Sequence, residues 1–141
     1  QGLRTVRIQH NSENLSAKGA YILKEAESDH KVTLYASGSE VEIILDAAEI
    51  LENDKIGARV VSVPSMEHFY KQDVNYQKDI LKGDIRIACE AALKQGWEGF
   101  ISDSDAFVGM EGFGASAPYK DLYKAFGITA EKIVGKVKSR L

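Results

Sequence analysis

A single cysteine, Cys89, stands among 141 residues, so no disulfide can close within the chain and a disulfide-stapled fold is excluded. Cys89 ends the run Ile85-Arg86-Ile87-Ala88-Cys89, in which alternate residues are apolar. Cysteine is among the most buried residue types, and at that position it belongs to the core rather than to redox chemistry. No apolar run approaches the roughly 20 residues that would span a bilayer. The first residues, Gln1-Gly2-Leu3-Arg4-Thr5, lack both an apolar signal-peptide core and an initiator methionine, as suits a fragment. The formal net charge of -3 is small and gives no reason to expect nucleic acid or an anionic membrane as partner. The three histidines, His10, His30 and His68, lie far apart, and with one cysteine they make no zinc-binding spacing. Neither a P-loop nor a G-x-G-x-x-G pattern is present.

What is there is ordinary globular composition: 44% hydrophobic and 28% charged residues, in a length that suits one domain with one core. Cytoplasmic origin is the default expectation for such a chain. Residues 1–17 are mostly polar and read as a linker, with Thr5 to Ile8 extended, and 18–141 as the domain. Gly19 to Leu23 reads as a short strand, Glu25 to His30 as a charged turn, and Val32 to Ala36 as a second strand rich in β-branched and aromatic residues.

Ser37-Gly38-Ser39 ends that strand and opens a helix. Ser37 with Glu40, and Ser39 with Glu42, both fit capping-box spacing, and either serine can be the cap. Val41, Ile44, Leu45, Ala48 and Leu51 share one face at helical spacing, widened by Ile43, Ala47 and Ile50. Asn53 to Gly57 stops the helix. Arg59 to Val63 follows as a near-continuous apolar strand of the kind buried on both sides in a parallel sheet. Strand, helix and strand make a βαβ unit with a right-handed crossover.

Pro64 ends that strand, and Ser65 caps a short helix reaching about Gln72, with Met66, Phe69 and Tyr70 on its apolar side. Tyr76 to Leu81 suits another helical turn. Ile85 to Cys89 suits a strand, Glu90 to Gln95 a brief helical run, and Ala106 to Met110 the last strand. Helices are expected over 119–126 and 130–140. Thr129 caps the second, and Ile133, Val134, Val137 and Leu141 form its stripe. Five strands alternating with helices predict an α/β architecture.

The site candidates are few. Ser37, Gly38 and Ser39 open a helix at the carboxyl end of a strand, where free N–H groups and a positive dipole end suit a small anion. Glu40 and Glu42 compete for that role with their own charge. His10 and His30 are expected to be solvated and His68 to be a surface histidine. Asp103-Ser104-Asp105 begins like a calcium loop, but Val108 stands where that loop needs glycine, so the reading is rejected. Ser116 lacks the G-x-S-x-G elbow. Trp97 reads as a packing anchor whose N–H finds a local acceptor. The stretch Gly112-Phe113-Gly114-Ala115-Ser116-Ala117-Pro118 must bend tightly and lie close to other backbone.

These pieces together resemble the C-terminal domain of the transketolase family. The resemblance rests on Lys18-Gly19-Ala20-Tyr21-Ile22-Leu23, Ala36-Ser37-Gly38-Ser39-Glu40-Val41, Val60-Val61-Ser62-Val63-Pro64-Ser65 and Phe69. It continues through Gly96-Trp97, Phe113 to Pro118 and Phe126-Gly127-Ile128-Thr129. Their order and spacing from about Gly19 to Leu141 make it specific. Related domains end pyruvate dehydrogenase β subunits and deoxyxylulose phosphate synthases, and the Gly96-Trp97 and Phe113 to Pro118 pieces favour transketolase.

The resemblance implies a three-layer α/β/α fold with a five-stranded, mostly parallel mixed sheet whose first strand is antiparallel. It implies a homodimeric parent enzyme that moves a two-carbon ketol unit between ketose and aldose phosphates in the pentose phosphate pathway. Thiamine diphosphate and a magnesium or calcium ion would be held by the two earlier domains. Gly83-Asp84 is followed by Ile85, so the family's diphosphate motif is missing and no catalytic, cofactor or metal residue carries over. The loop from Gly112 to Pro118 would lean on the earlier domains. Two other readings stand beside this one. One is a freestanding module binding a small anion or nucleotide at Ser37 to Glu40. The other is a pure assembly domain, with Tyr119 and Tyr123 at a subunit contact.

Overall fold

A computed structural model describes residues 17–38, 40–90, 97–101, 106–109 and 129–141. Five strands and four helices are placed among them: β1 (Tyr21–Lys24), β2 (His30–Ala36), α1 (Glu40–Asn53), β3 (Gly57–Ser62), α2 (Met66–Phe69), α3 (Val74–Ile80), β4 (Ile85–Glu90), β5 (Phe107–Gly109) and α4 (Ala130–Lys138). They form one sheet in the order β1-β3-β2-β4-β5. β1 runs antiparallel to β3, with Tyr21 opposite Ser62. The other neighbours are parallel: Leu34 pairs with both Val60 and Ile87, and Cys89 with Val108. The mixed sheet with an antiparallel first strand is therefore as expected.

Alternation along β2 divides the sheet into two faces. Thr33 and Tyr35 point toward the α2–α3 layer: the Tyr35 hydroxyl donates to the Ile80 carbonyl at 2.8 Å, and Thr33 Oγ1 donates to the Lys82 carbonyl. Leu34, Val60 and Ile87 face the other way, where α1 and α4 pack. The buried face of α1 is Ile44, Leu45, Ala47, Ala48 and Leu51, while Val41, Ile43 and Ile50 are only half-buried. Burying a Leu or Ile side chain stabilises by about 1.5–3 kcal/mol, so this stripe fixes the helix.

Local chemistry sets the ends. Ser65 accepts from the His68 amide, Asp73 from the Tyr76 amide and Thr129 from the Lys132 amide, each capping a helix. Just past the end of α1, Lys55 takes φ 65°, the left-handed conformation that glycine usually supplies there. Gly57, expected to help stop the helix, instead opens β3, where a Cβ would strike the Asp29 carbonyl.

Several expectations are corrected. α2 is a single turn that stops at Phe69, and Tyr70 is its cap. Glu90 ends strand β4 instead of starting a helix, because it continues the parallel ladder opposite Gly109. Leu141 lies past the end of α4 and is exposed, while Ile133 and Val137 carry the buried stripe. Residues 91–96, Met110 and the helix expected over 119–126 lie outside the described residues.

Arg59, expected within an apolar strand, is a buried charge. It lies opposite Thr33 on the α2–α3 side. Its guanidinium donates to both Glu25 carboxylate oxygens, at 2.9 and 3.1 Å, and to the Asp79 carbonyl at 2.6 Å. A charge is tolerated there because its donors are matched and its stem packs as hydrocarbon.

Candidate functional site

In an open parallel sheet, the crevice for a ligand lies at the carboxyl ends of the strands, where successive connections leave in opposite directions. Here that point falls between β2 and β4. From β2 the chain crosses to β3 on one side; from β3 it returns past β2 to β4 on the other. The residues there are Ser37 and Gly38 after β2, Glu40 at the start of α1, and Cys89 and Glu90 at the end of β4.

Parallel register sets Ala36 beside Cys89, which brings the next residues, Ser37 and Glu90, together. The Ser37 hydroxyl donates to Glu90 Oε1 at 2.8 Å. The Trp97 side chain lies near Glu90 and favours its ionised form. Burial pushes the Glu90 carboxyl above the ordinary glutamate range. The Ser37 bond draws it back, the Glu40 carboxylate pushes it up further, and the Trp97 side chain opposes. Glu40 itself is buried. Cys89 is fully buried; burial first, then the Glu40 and Glu90 charges, drive its thiol far above its usual range. It carries no thiolate for nucleophilic work.

Trp97 is the packing anchor expected. It is buried, its ring centroid lies 5.4 Å from that of Phe100, and its side chain acts on Glu90. The Ser37–Glu90 bond thus ties the turn before α1 to the end of β4. It sets two carboxyl groups, Glu90 and Glu40, side by side at the end of the sheet.

Of the anion-site candidates, Ser37 gives its hydroxyl proton to Glu90, and Gly38 is exposed at φ 62°. The amides of Glu40 and Val41 donate to the carbonyls of Ser37 and Gly38, at 3.3 and 3.2 Å. Ser39 lies outside the described residues, as do the whole Gly112 to Pro118 loop, His10, Asp103 to Asp105, Tyr119 and Tyr123.

The expectation that His30 is solvated is corrected. It opens β2, is half-buried, and lies 2.8 Å from Thr33 Oγ1. Since that hydroxyl donates to Lys82, the imidazole Nε2 is the donor to it. Burial, then the Arg59 charge, lowers its pKa. His68 is the surface histidine expected, with Nδ1 2.8 Å from Ser65 Oγ.

Sequence reasoning missed the Glu40–Glu90 pair and a third carboxylate, Glu52. Glu52 accepts the backbone amides of Glu27, Ser28 and Ala58 at 2.8, 3.0 and 2.9 Å, tying the β1–β2 turn to the start of β3. It borders an open groove of about 270 Å³ lined also by Lys24, Glu27, Leu45, Glu49 and Asn53. The pairing of Ser37 with Glu90 could have been found from sequence only by aligning β2 with β4 in parallel register.

Among the described residues, no three or more His, Cys, Asp or Glu side chains are grouped to hold a metal ion. No described helix is long and apolar enough to cross a membrane.

Residues 19–129 match the family profile described as the transketolase-like TK C-terminal domain. A transketolase of Cereibacter sphaeroides is 50% identical over 141 residues, covering all of this chain and 21% of that protein. Transketolase from Leishmania mexicana superposes with a TM-score of 0.80 at 38% identity, over 89% of this chain and 18% of that one. Transketolase from Campylobacter jejuni does so with a TM-score of 0.80 at 37% identity, over 97% and 20%. The chain therefore spans about a fifth of the length of the relatives it matches.

Proposed function

The chain belongs to the transketolase C-terminal domain family, and from that premise we propose that it is the non-catalytic third domain of a transketolase. The parent transfers a two-carbon ketol unit between ketose and aldose phosphates in the pentose phosphate pathway. It acts as a cytoplasmic homodimer, with thiamine diphosphate and a divalent metal ion held by the earlier domains. Residues 1–17 are the linker from those domains, and the Gly112 to Pro118 loop is the part that leans on them.

The observation that carries this reading is the profile match over residues 19–129. The described residues do not fit the cofactor. A diphosphate at the sheet's carboxyl end would meet Glu40 and Glu90, and like charges in a partly buried site repel strongly. The domain's own work is to present a rigid α/β body to the rest of the polypeptide. The test is a ketol-transfer assay on the full-length polypeptide that carries this sequence, with thiamine diphosphate and magnesium. Transfer from a ketose phosphate to an aldose phosphate is expected; none in a folded, cofactor-loaded protein would refute the reading.

The rival anion site at Ser37, Gly38 and Ser39 is disfavoured because Ser37 is engaged by Glu90 beside Glu40. Calorimetry with inorganic phosphate separates the two readings: saturable heat that Ser39→Asp abolishes would establish the anion site.

A further inference from the structure

We infer that the surface formed by Tyr70 and Val74, at the α2–α3 junction, is the seat on which the preceding domain of the same polypeptide packs; this rests on the reading that the chain is the C-terminal part of a transketolase.

Three large apolar side chains are exposed among the described residues: Tyr70 at 47%, Val74 at 63% and Leu141 at 61%. Tyr70 caps the end of α2 and Val74 opens α3, four residues on, and Tyr70 is held in place. Its ring packs on Phe69 and Phe100, with centroids 5.2 and 5.9 Å away, at the end of an aromatic row that begins at buried Trp97. Gly99 leaves the room its hydroxyl needs, since a Cβ there would strike it. The Gln77 side chain donates to the carbonyls of Tyr70 and Gln72, at 3.2 and 2.9 Å, and locks the junction. A fixed aromatic anchor beside an aliphatic one loses little freedom on binding.

The chain comes into the domain at this same place. The Ser65 amide donates to the Gly19 carbonyl at 3.0 Å, and the Tyr76 hydroxyl donates to the Ala20 carbonyl at 2.6 Å. The Lys18 ammonium sits 4.7 Å from the Tyr76 ring centroid. Gly19, at φ 85°, lies so close to α2 that a Cβ would overlap the Ser65 carbonyl and the Phe69 amide. Lys18 to Ala20 thus enter the domain against α2 and Tyr76, at the same α2–α3 junction that carries Tyr70 and Val74. A short tether raises the effective concentration of a linked surface to the order of millimolar, so a modest patch suffices. The relatives are about five times longer than this chain, and the profile describes their C-terminal domain. The occupant is therefore an apolar patch of the preceding domain. The exposed Glu67 and Lys71, paired at 3.8 Å, give the seat a polar rim.

The test is alkylation by iodoacetamide of Val74→Cys in the full-length polypeptide. It is read on the tryptic peptide 72–78 by mass spectrometry and referred to the same protein in guanidinium chloride. Alkylation at least about tenfold slower in the native protein, unchanged on dilution to monomer, is expected. A native rate equal to the unfolded one overturns the inference, as does slowing that disappears on dilution, which would assign the face to a second copy. Ketol transfer is measured in the same sample: transfer with an unprotected Val74→Cys sinks the seat alone, and its absence sinks the parent reading. Lys78→Cys, also exposed and on the same face of α3 one turn from Val74, is read on tryptic peptide 72–82 and gives the same readout should Val74→Cys misfold.

Discussion

Trp97, the only tryptophan in the chain, should report the protonation of Glu90, because its side chain acts on the Glu90 carboxyl. Glu90 sits above the ordinary glutamate pKa through burial, with the Ser37 bond opposing and the Glu40 carboxylate adding to the rise. Trp97 emission should therefore titrate with a midpoint above 4.5, the unperturbed glutamate value. Glu90→Gln should remove that step while leaving the emission in its high-pH or low-pH limit. Ser37→Ala removes a donor that favours the ionised form. A hydrogen bond to a charged group is worth about 1.5–3 kcal/mol in full. A hydroxyl also serves the protonated acid, so roughly 1 kcal/mol of difference in favour of the ionised form remains. Ser37→Ala should therefore move the midpoint up. The linkage sign follows. Glu90 has a raised folded pKa, so its contribution to stability is full below the unfolded value and is lost as pH rises through the folded one. Glu90→Gln should then leave stability at pH 7 unchanged or increased. Emission flat across the acidic range, or a Ser37→Ala midpoint moving down, would refute this account of Glu90.

Glu52→Ala removes the acceptor of three backbone amides; at a net contribution near 1 kcal/mol each, discounted for partial exposure, it should cost about 2 kcal/mol in urea unfolding. Three amides outweigh the effect of burial and hold Glu52 below its usual pKa, so the gap between wild type and Glu52→Ala should close as pH falls through that lowered value. Lys55→Gly relieves a left-handed residue and should raise stability by about 0.5–1 kcal/mol, seen as a higher Tm. Arg59→Ala loses the buried stem and the bond to the Asp79 carbonyl. Glu25 is largely exposed and adds little to the loss, so unfolding should show a cost of about 2 kcal/mol.

Much of the fold was legible because local and long-range signals agree. The 2-residue alternation in Ile85, Ile87 and Cys89 and the helical stripe from Ile44 to Leu51 each name a buried face. Ser65 and Thr129 cap as their side chains dictate. Glu90 was misread because glutamate in a strand runs against propensity, and only its partners Ser37 and Trp97, 53 residues before it and 7 after, make the position tolerable. Arg59 escaped for the same reason: its matching acceptors, Glu25 and Asp79, come from distant segments. The stop at Asn53 to Gly57 was legible, but which residue turns left-handed was not: Lys55 does, while Gly57 is needed for its close approach to Asp29. The site itself was half legible. Ser37 and Gly38 were marked for the right place in the sheet, but the carboxylates that set its charge emerge only from strand pairing.

The account stands or falls on whether this chain lacks the machinery for ketol transfer. The direct measurement is turnover of a ketose phosphate and an aldose phosphate by the 141-residue chain alone, with thiamine diphosphate and magnesium present, beside the full-length polypeptide. Transfer by the full-length polypeptide and a rate equal to buffer for the chain alone are expected; turnover by the chain alone would contradict the account.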